Sequence, residues 1–197
     1  MHAIIENNEI KQIITNPKSL VIGDVRYPAK IFQLWSESEL NAIGIYEVIT
    51  DSSNKKDEKW YINTDESYAF ADNQVTRSWG TATPKAHADV TKTIDGVEYT
   101  TPGLKTNLIK TLKQQVANEL AKTDWYITRN IEKSTAIPSA ISTHRDSVRT
   151  KQAEMETAIT NASDTPALET LYIYVNTGTE ENPVYERPLG ELPTLEI

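Results

Sequence analysis

Residues 123–149 read TDWYITRNIEKSTAIPSAISTHRDSVR. Trp125 and Tyr126, three arginines, His144 and Pro138 fall in one tract. An active-site loop, a nucleic-acid contact and the bend of a helical hairpin each use such residues, and the flanking sequence decides among them. Upstream, Leu104, Leu108, Leu112, Val116 and Leu120 recur every four residues, with Ile109 beside them. That is the period of an amphipathic helix. No strong breaker lies between Gly103 and Ser134, so the helix is predicted to continue through Trp125 to about Ile131. Downstream, Pro138 suits a first helical turn. Ile141, Val148, Met155 and Ala162 then recur every seven residues, the narrow stripe of a helical-hairpin or coiled-coil seam.

The tract therefore reads as a joint, with Ser134–Ile137 as the bend and Pro138 starting the return helix. Trp125 and Tyr126 suit stacking on a base or a sugar. Beside the Leu/Val stripe they suit the closing of a hairpin core better. His144 and Asp146 are two apart, and residues two apart on a helix face different directions, which argues against an oriented base. Arg129, Arg145 and Arg149 alternate with Asp124, Glu132 and Asp146. Interspersed charge is the pattern of a salt-bridged helix surface, not of a phosphate-binding stripe.

The first hundred residues have a shorter period. Ala3–Glu6 and Glu9–Ile14 flank Asn7-Asn8, a tight-turn pair for a β-hairpin. Ser36-Glu-Ser-Glu39 is a capping box that opens a short helix, and Gly44 suits its end. Ile45–Ile49, Trp60–Asn63, Tyr68–Phe70 and Asn73–Trp79 read as strands. The polar run 51–58 reads as a solvated turn, or as a charged contact patch. Thr93–Tyr99 is a second hairpin on Asp95-Gly96. After Thr165-Pro166, which caps one more turn, Leu171–Val175 reads as a strand and Val184–Glu186 as its antiparallel return. The tail Leu189–Ile197 is expected to be extended and held by a neighbour. The fold class is thus α+β: a β-rich head over 1–100, a long antiparallel helical hairpin over 101–165, and a β-arm with an extended tail over 166–197.

Composition narrows the function. The 197-residue chain carries a net charge of −8 and no cysteine. Such acidity opposes phosphate backbones, so no nucleic-acid partner is expected. Disulfides, thiolate metal sites and cysteine nucleophiles are excluded. No run approaches the ~18 apolar residues of a membrane span, and the N-terminus lacks the pattern of a signal peptide. No membrane partner is expected, and synthesis in a cytoplasm is. His2, His87 and His144 include no i, i+4 pair, and no HExxH, glycine-rich phosphate loop or GxSxG occurs. Asp65-Glu66 has no EF-hand spacing around it and reads as a solvated loop. No catalytic, cofactor or metal residue is nominated, and the chain is not expected to be an enzyme. With 38% hydrophobic residues and a mean hydropathy of −0.50, the apolar surface is expected to be completed by copies or partners.

Three stretches carry a resemblance. YPAKIFQLWSESELNAIGIYEV, residues 27–48, resembles a recurrent segment at the front of many tail and tail-fibre-associated proteins of tailed bacteriophages. Val75-Thr-Arg-Ser-Trp79 is similar to the strand that follows it there. The 123–149 tract resembles a segment shared by tail-fibre assembly chaperones and several virion tail proteins. Its matching positions are Thr123-Asp-Trp-Tyr126, Ala136-Ile-Pro138 and His144-Arg145 with Val148-Arg149. Together these stretches cover about half the chain. The strand and proline-containing tail beyond the hairpin depart from the compact chaperone pattern.

The resemblance implies a structural component of the virion tail, assembled in the host cytoplasm. Its place would be the baseplate, the tail tip or a fibre-attachment adaptor. Its partners would be other tail proteins and further copies of itself. The alternative is a fibre-assembly chaperone that does not stay in the particle. The expected contact residues are Trp35, Ile45, Tyr46 and Val48 in the head, Trp125 and Tyr126 at the joint, and Tyr172, Tyr174 and Leu195 in the arm.

Overall fold

Asn7 and Asn8 both take the left-handed backbone, φ 54° and 62°. This is the geometry that lets a two-residue turn match the twist of its strands. They join β1 (His2–Glu6) to β2 (Glu9–Ile14), as the sequence predicts. The computed structural model describes residues 1–195. Helix at 34% and strand at 26% make the chain α+β. It divides into two compact units, Met1–Thr83 and Pro84–Ile197. The hairpin on Asp95-Gly96, read from sequence as part of a head ending at residue 100, therefore lies with the helices.

In the first unit a second hairpin, β3 (Leu20–Ile22) and β4 (Val25–Tyr27), leads to α1 (Ile31–Leu34) and α2 (Glu37–Ala42). Ser36 caps α2. Its hydroxyl accepts from the Glu39 N–H, and the Glu39 carboxylate accepts from the Ser36 N–H, which closes the predicted capping box. Gly44, at φ +81°, turns the chain from α2 into β5 (Ile45–Thr50). After β6 (Tyr61–Ile62) come β7 (Ser67–Ala71) and β8 (Gln74–Ser78). The sheet order is β2-β1-β5-β8-β7, with β5 and β8 parallel and the other pairs antiparallel.

Alternation along β5 sends Ile45 and Val48 to opposite faces. Ile45 joins Ile4, Ile14, Leu20, Ile31 and Leu40 in one cluster, and Val48 joins Ala3 and Val75 in another. Both faces of β5 are therefore core.

A two-residue strand, β9 (Thr83–Pro84), spans the boundary between the units. The second unit begins with β10 (Val90–Ile94) and β11 (Val97–Thr101), joined at Asp95 and Gly96. It continues through α3 (Leu104–Ala121), α4 (Asp124–Lys133), α5 (Ser139–Asn161) and α6 (Thr165–Thr170). The strands β12 (Val175–Asn176) and β13 (Tyr185–Glu186) end it. Helices α3 and α5 run past each other in opposite directions. Lys105 Nζ donates to the Thr160 carbonyl at 2.7 Å near one end, and Arg145 to the Leu120 carbonyl at 2.8 Å near the other. The seven-residue stripe Ile141, Val148, Met155, Ala162 is buried throughout, widened by Ile159. Pro138 stands just outside α5 as its N-cap, one residue earlier than a first-turn position.

Two elements differ from the sequence expectation. The first helix does not run to Ile131. It ends at Ala121, and α4 starts afresh at Asp124. Thr123 is 1% exposed, and its hydroxyl donates to the Leu120 carbonyl at 3.0 Å. Its own N–H reaches the same carbonyl at 3.1 Å. Side-chain and tightened-turn bonds thus take the place of the helical ladder. The strand over Leu171–Val175 shrinks to Val175–Asn176. The Tyr172 and Ile173 N–H groups follow helical turns back to the Glu169 and Thr170 carbonyls, and the Leu171 carbonyl accepts from Leu189 instead. Leu189 is buried, so the tail is anchored on its own chain at that residue. Leu189–Leu195 has no regular structure, and Glu196 and Ile197 lie outside the described residues.

Candidate interaction surfaces

Register fixes the two faces of the β10–β11 ribbon. Val90 pairs with Thr101, Lys92 with Tyr99 and Ile94 with Val97, which places these six on one face. Thr91, Thr93, Glu98 and Thr100 occupy the other, where the Thr91 and Thr100 hydroxyls bond across the strands at 2.9 Å. Every residue of both strands is exposed. The apolar face, Val90, Ile94, Val97 and Tyr99, is therefore uncovered. A lone two-stranded ribbon is marginal in water and gains from being covered. None of these four residues is among the contact residues expected from the sequence; the alternation Val90-Thr-Lys-Thr-Ile94 is the signal that carries them.

At the joint, Trp125 is 51% exposed and Ile131 77% exposed, and α4 has no buried residue. These side chains do not continue the apolar seam as expected, because the break at Thr123 redirects the chain. The rings of Trp125 and Tyr126 stack at 3.7 Å, and Arg129 lies over Trp125 at 6.0 Å. Arg145, in contrast, is buried. It bonds the Thr123 hydroxyl at 2.7 Å and the Asp124 carboxylate at 2.8 Å. Arg149 pairs with Asp146 at 3.1 Å.

His144 is buried against Glu119, Nε2 to Oε1 3.3 Å. The alignment is too poor for a hydrogen bond, and neither atom has another partner among the described residues. Lys122 bonds the same carboxylate. That bond, then the Lys122 charge, holds Glu119 below the usual carboxylate range.

In the arm, Arg187 lies over the rings of Tyr172 and Tyr174, at 5.4 and 5.9 Å, and pairs with Glu191 at 2.7 Å. Burial pushes the Tyr172 hydroxyl up, and a hydrogen bond to Glu191 does the same for Tyr174. Tyr174 is exposed, while Tyr172 and Leu195 are half-buried. In the head, Val48 is buried and offers a partner no surface, which corrects its nomination, and Ile45, also buried, reaches only the floor of a cavity. Tyr46 packs on Phe70 at 4.9 Å. Trp35 is half-buried, edge-to-face with Tyr27 at 5.8 Å.

Asp65 and Glu66 do not act together. Arg77 takes Glu66 in a two-pronged bond, both arms at 3.0 Å, and this bond lowers its pKa. Among the described residues no three His, Asp or Glu side chains gather as a metal site. No described helix is long and apolar enough to cross a membrane. No family model, curated protein or solved structure matches the chain.

Proposed function

We propose that the chain is a structural component of a bacteriophage tail, at the baseplate, the tail tip or a fibre attachment, and that it acts by docking onto other tail proteins. The apolar face of the β10–β11 ribbon supports the docking part of this reading: Val90, Ile94, Val97 and Tyr99 are presented together and all four are exposed. The resemblance of residues 27–48, 75–79 and 123–149 to tail proteins supplies the setting. In this reading the helical hairpin of α3 and α5 is the rigid body. The ribbon and the β12–β13 arm are its contacts, and further copies of the chain in the virion are among its partners.

Mass spectrometry of purified particles tests the proposal. The chain is expected in stoichiometric amount with the tail proteins. Its absence from finished particles would refute the structural role. Absence together with misassembled fibres on deletion would mark an assembly chaperone instead.

A further inference from the structure

A cavity of about 280 Å³ opens in the first unit where α1, the start of α2, β1 and β5 meet. Leu40 and Ile45 form its buried floor. Phe32 and Trp35 line it with half-buried rings. Two neighbours hold these rings: His2 lies 4.9 Å from Phe32, and Tyr27 meets Trp35 edge-to-face. Glu37 and Glu47 stand exposed at the rim. Among the described residues neither carboxylate has a cationic partner, although nine other acidic side chains do. The Asn41 amide is already engaged. With its nitrogen inward it donates to the Glu37 and Ile45 carbonyls at 3.3 and 2.8 Å. His2 pairs in register with Glu47, and burial, then the charge of the N-terminus, holds its pKa down.

We infer that this cavity is a recognition pocket for an arginine side chain of a partner protein. An aromatic wall and two unpaired carboxylates match the two faces of a guanidinium, which stacks on rings and donates to oxygen acceptors in its plane. The volume lies just under the range of small-molecule sites, about 300–1,000 Å³, and suits one long side chain. A neutral sugar would stack equally well, but it would leave two carboxylates without a countercharge at its edge. An anionic group would meet both of them and a chain of net charge −8. The inference deepens the docking reading by naming what one partner presents. The pocket can be tested without any particle, so its failure and the failure of the tail assignment are separate results.

The experiment is a nitrogen–proton correlation titration of the full chain with N-acetyl-arginine methylamide, with the lysine analogue and methyl glucoside as the other arms. The expected result is a saturable shift of the Trp35 indole and Asn41 amide signals, with a Kd on the order of millimolar. Glu37→Gln with Glu47→Gln is expected to weaken it by at least about fivefold, and added salt to weaken it further. Both glutamates are exposed, so the paired variant keeps the fold, and unchanged signals elsewhere verify that. No saturable shift, tighter binding of the glucoside, or unchanged affinity in the paired variant would each overturn the inference. Equal binding of the lysine analogue would overturn its arginine specificity.

Discussion

Arg145→Met tests whether the arginine at the α3–α4 break holds the joint together. Arg145 is 9% exposed. Its Nη1 serves the Leu120 carbonyl at 2.8 Å, the Thr123 hydroxyl oxygen at 2.7 Å and the Asp124 carboxylate at 2.8 Å. Methionine keeps the reach and most of the packing of the arginine stem but makes none of these bonds. The bonds to Leu120 and Thr123 lie in buried surroundings, where a charged donor contributes about 1.5–3 kcal/mol. The Asp124 side chain is 60% exposed, so that ion pair contributes only about 0.2–1 kcal/mol. The Thr123 hydroxyl still reaches the Leu120 carbonyl after the change, which limits the loss. The expected cost is about 2–3 kcal/mol for Arg145→Met and under about 1 kcal/mol for Asp124→Asn.

Helices α3, α4 and α5 all belong to the second unit, so far-ultraviolet circular dichroism in urea reports chiefly on it. With a slope of about 2 kcal/mol per molar, the midpoint should fall by about 1 M for Arg145→Met. A midpoint unmoved in Arg145→Met, or an equal fall in Asp124→Asn, would refute the reasoning. The second outcome would mean that the exposed pair, not the buried bonds, holds the joint.

Trp125→Ala should cost no more than about 1 kcal/mol, because half the ring is already in water, whereas Val148→Ala in the sealed helix seam should cost about 2 kcal/mol. The same urea melts rank the two, and the reverse order would put Trp125 back in the core. Gly44→Ala should destabilise the first unit by more than about 1 kcal/mol. Its φ is +81°, and an added Cβ would stand 2.7 Å from the Ile5 carbonyl oxygen. Thermal unfolding followed by tryptophan fluorescence checks this, since Trp35, Trp60 and Trp79 all lie in the first unit, and an unchanged transition would count against the turn geometry. Glu119 has its folded-state pKa lowered, chiefly by Lys122. A depressed carboxylate stabilises above its unfolded value, about 4.3, and that contribution is lost as pH falls through the folded value. The second unit should therefore lose stability on acidification through that window, and Glu119→Gln should flatten this part of the profile. An identical profile in the variant would argue against the assignment.

The elements legible in the sequence are those set by neighbours in the chain. Asn7-Asn8, Asp95-Gly96 and the Ser36–Glu39 box each determine a local geometry, and each appears where expected. The seven-residue stripe of α5 is legible for the same reason, since helical period alone places it on one face. The break at Thr123 was not legible. Thr123 is a tolerable helix residue, and the bonds that stop the helix come partly from Arg145, more than twenty positions away. The shortened arm strand has the same kind of cause: the Leu171 carbonyl is taken by Leu189. Non-local bonds overrode propensities that were read correctly.

The contact surfaces show a different limit. Ile45, Tyr46 and Val48 lie in an apolar run, and a sheet covered on one face would leave one set outward. In this sheet both sides are covered, so Ile45 and Val48 disappear into separate clusters while Tyr46 stays half-buried. The β10–β11 ribbon is the converse. Its alternation was visible, yet alternation says only that one face is apolar, not whether the chain covers it. Whether an apolar face is core or contact depends on what else the fold brings to it. Val90, Ile94, Val97 and Tyr99 stay exposed together on one face among the described residues, and this makes the ribbon a stronger docking candidate than Trp125 and Tyr126.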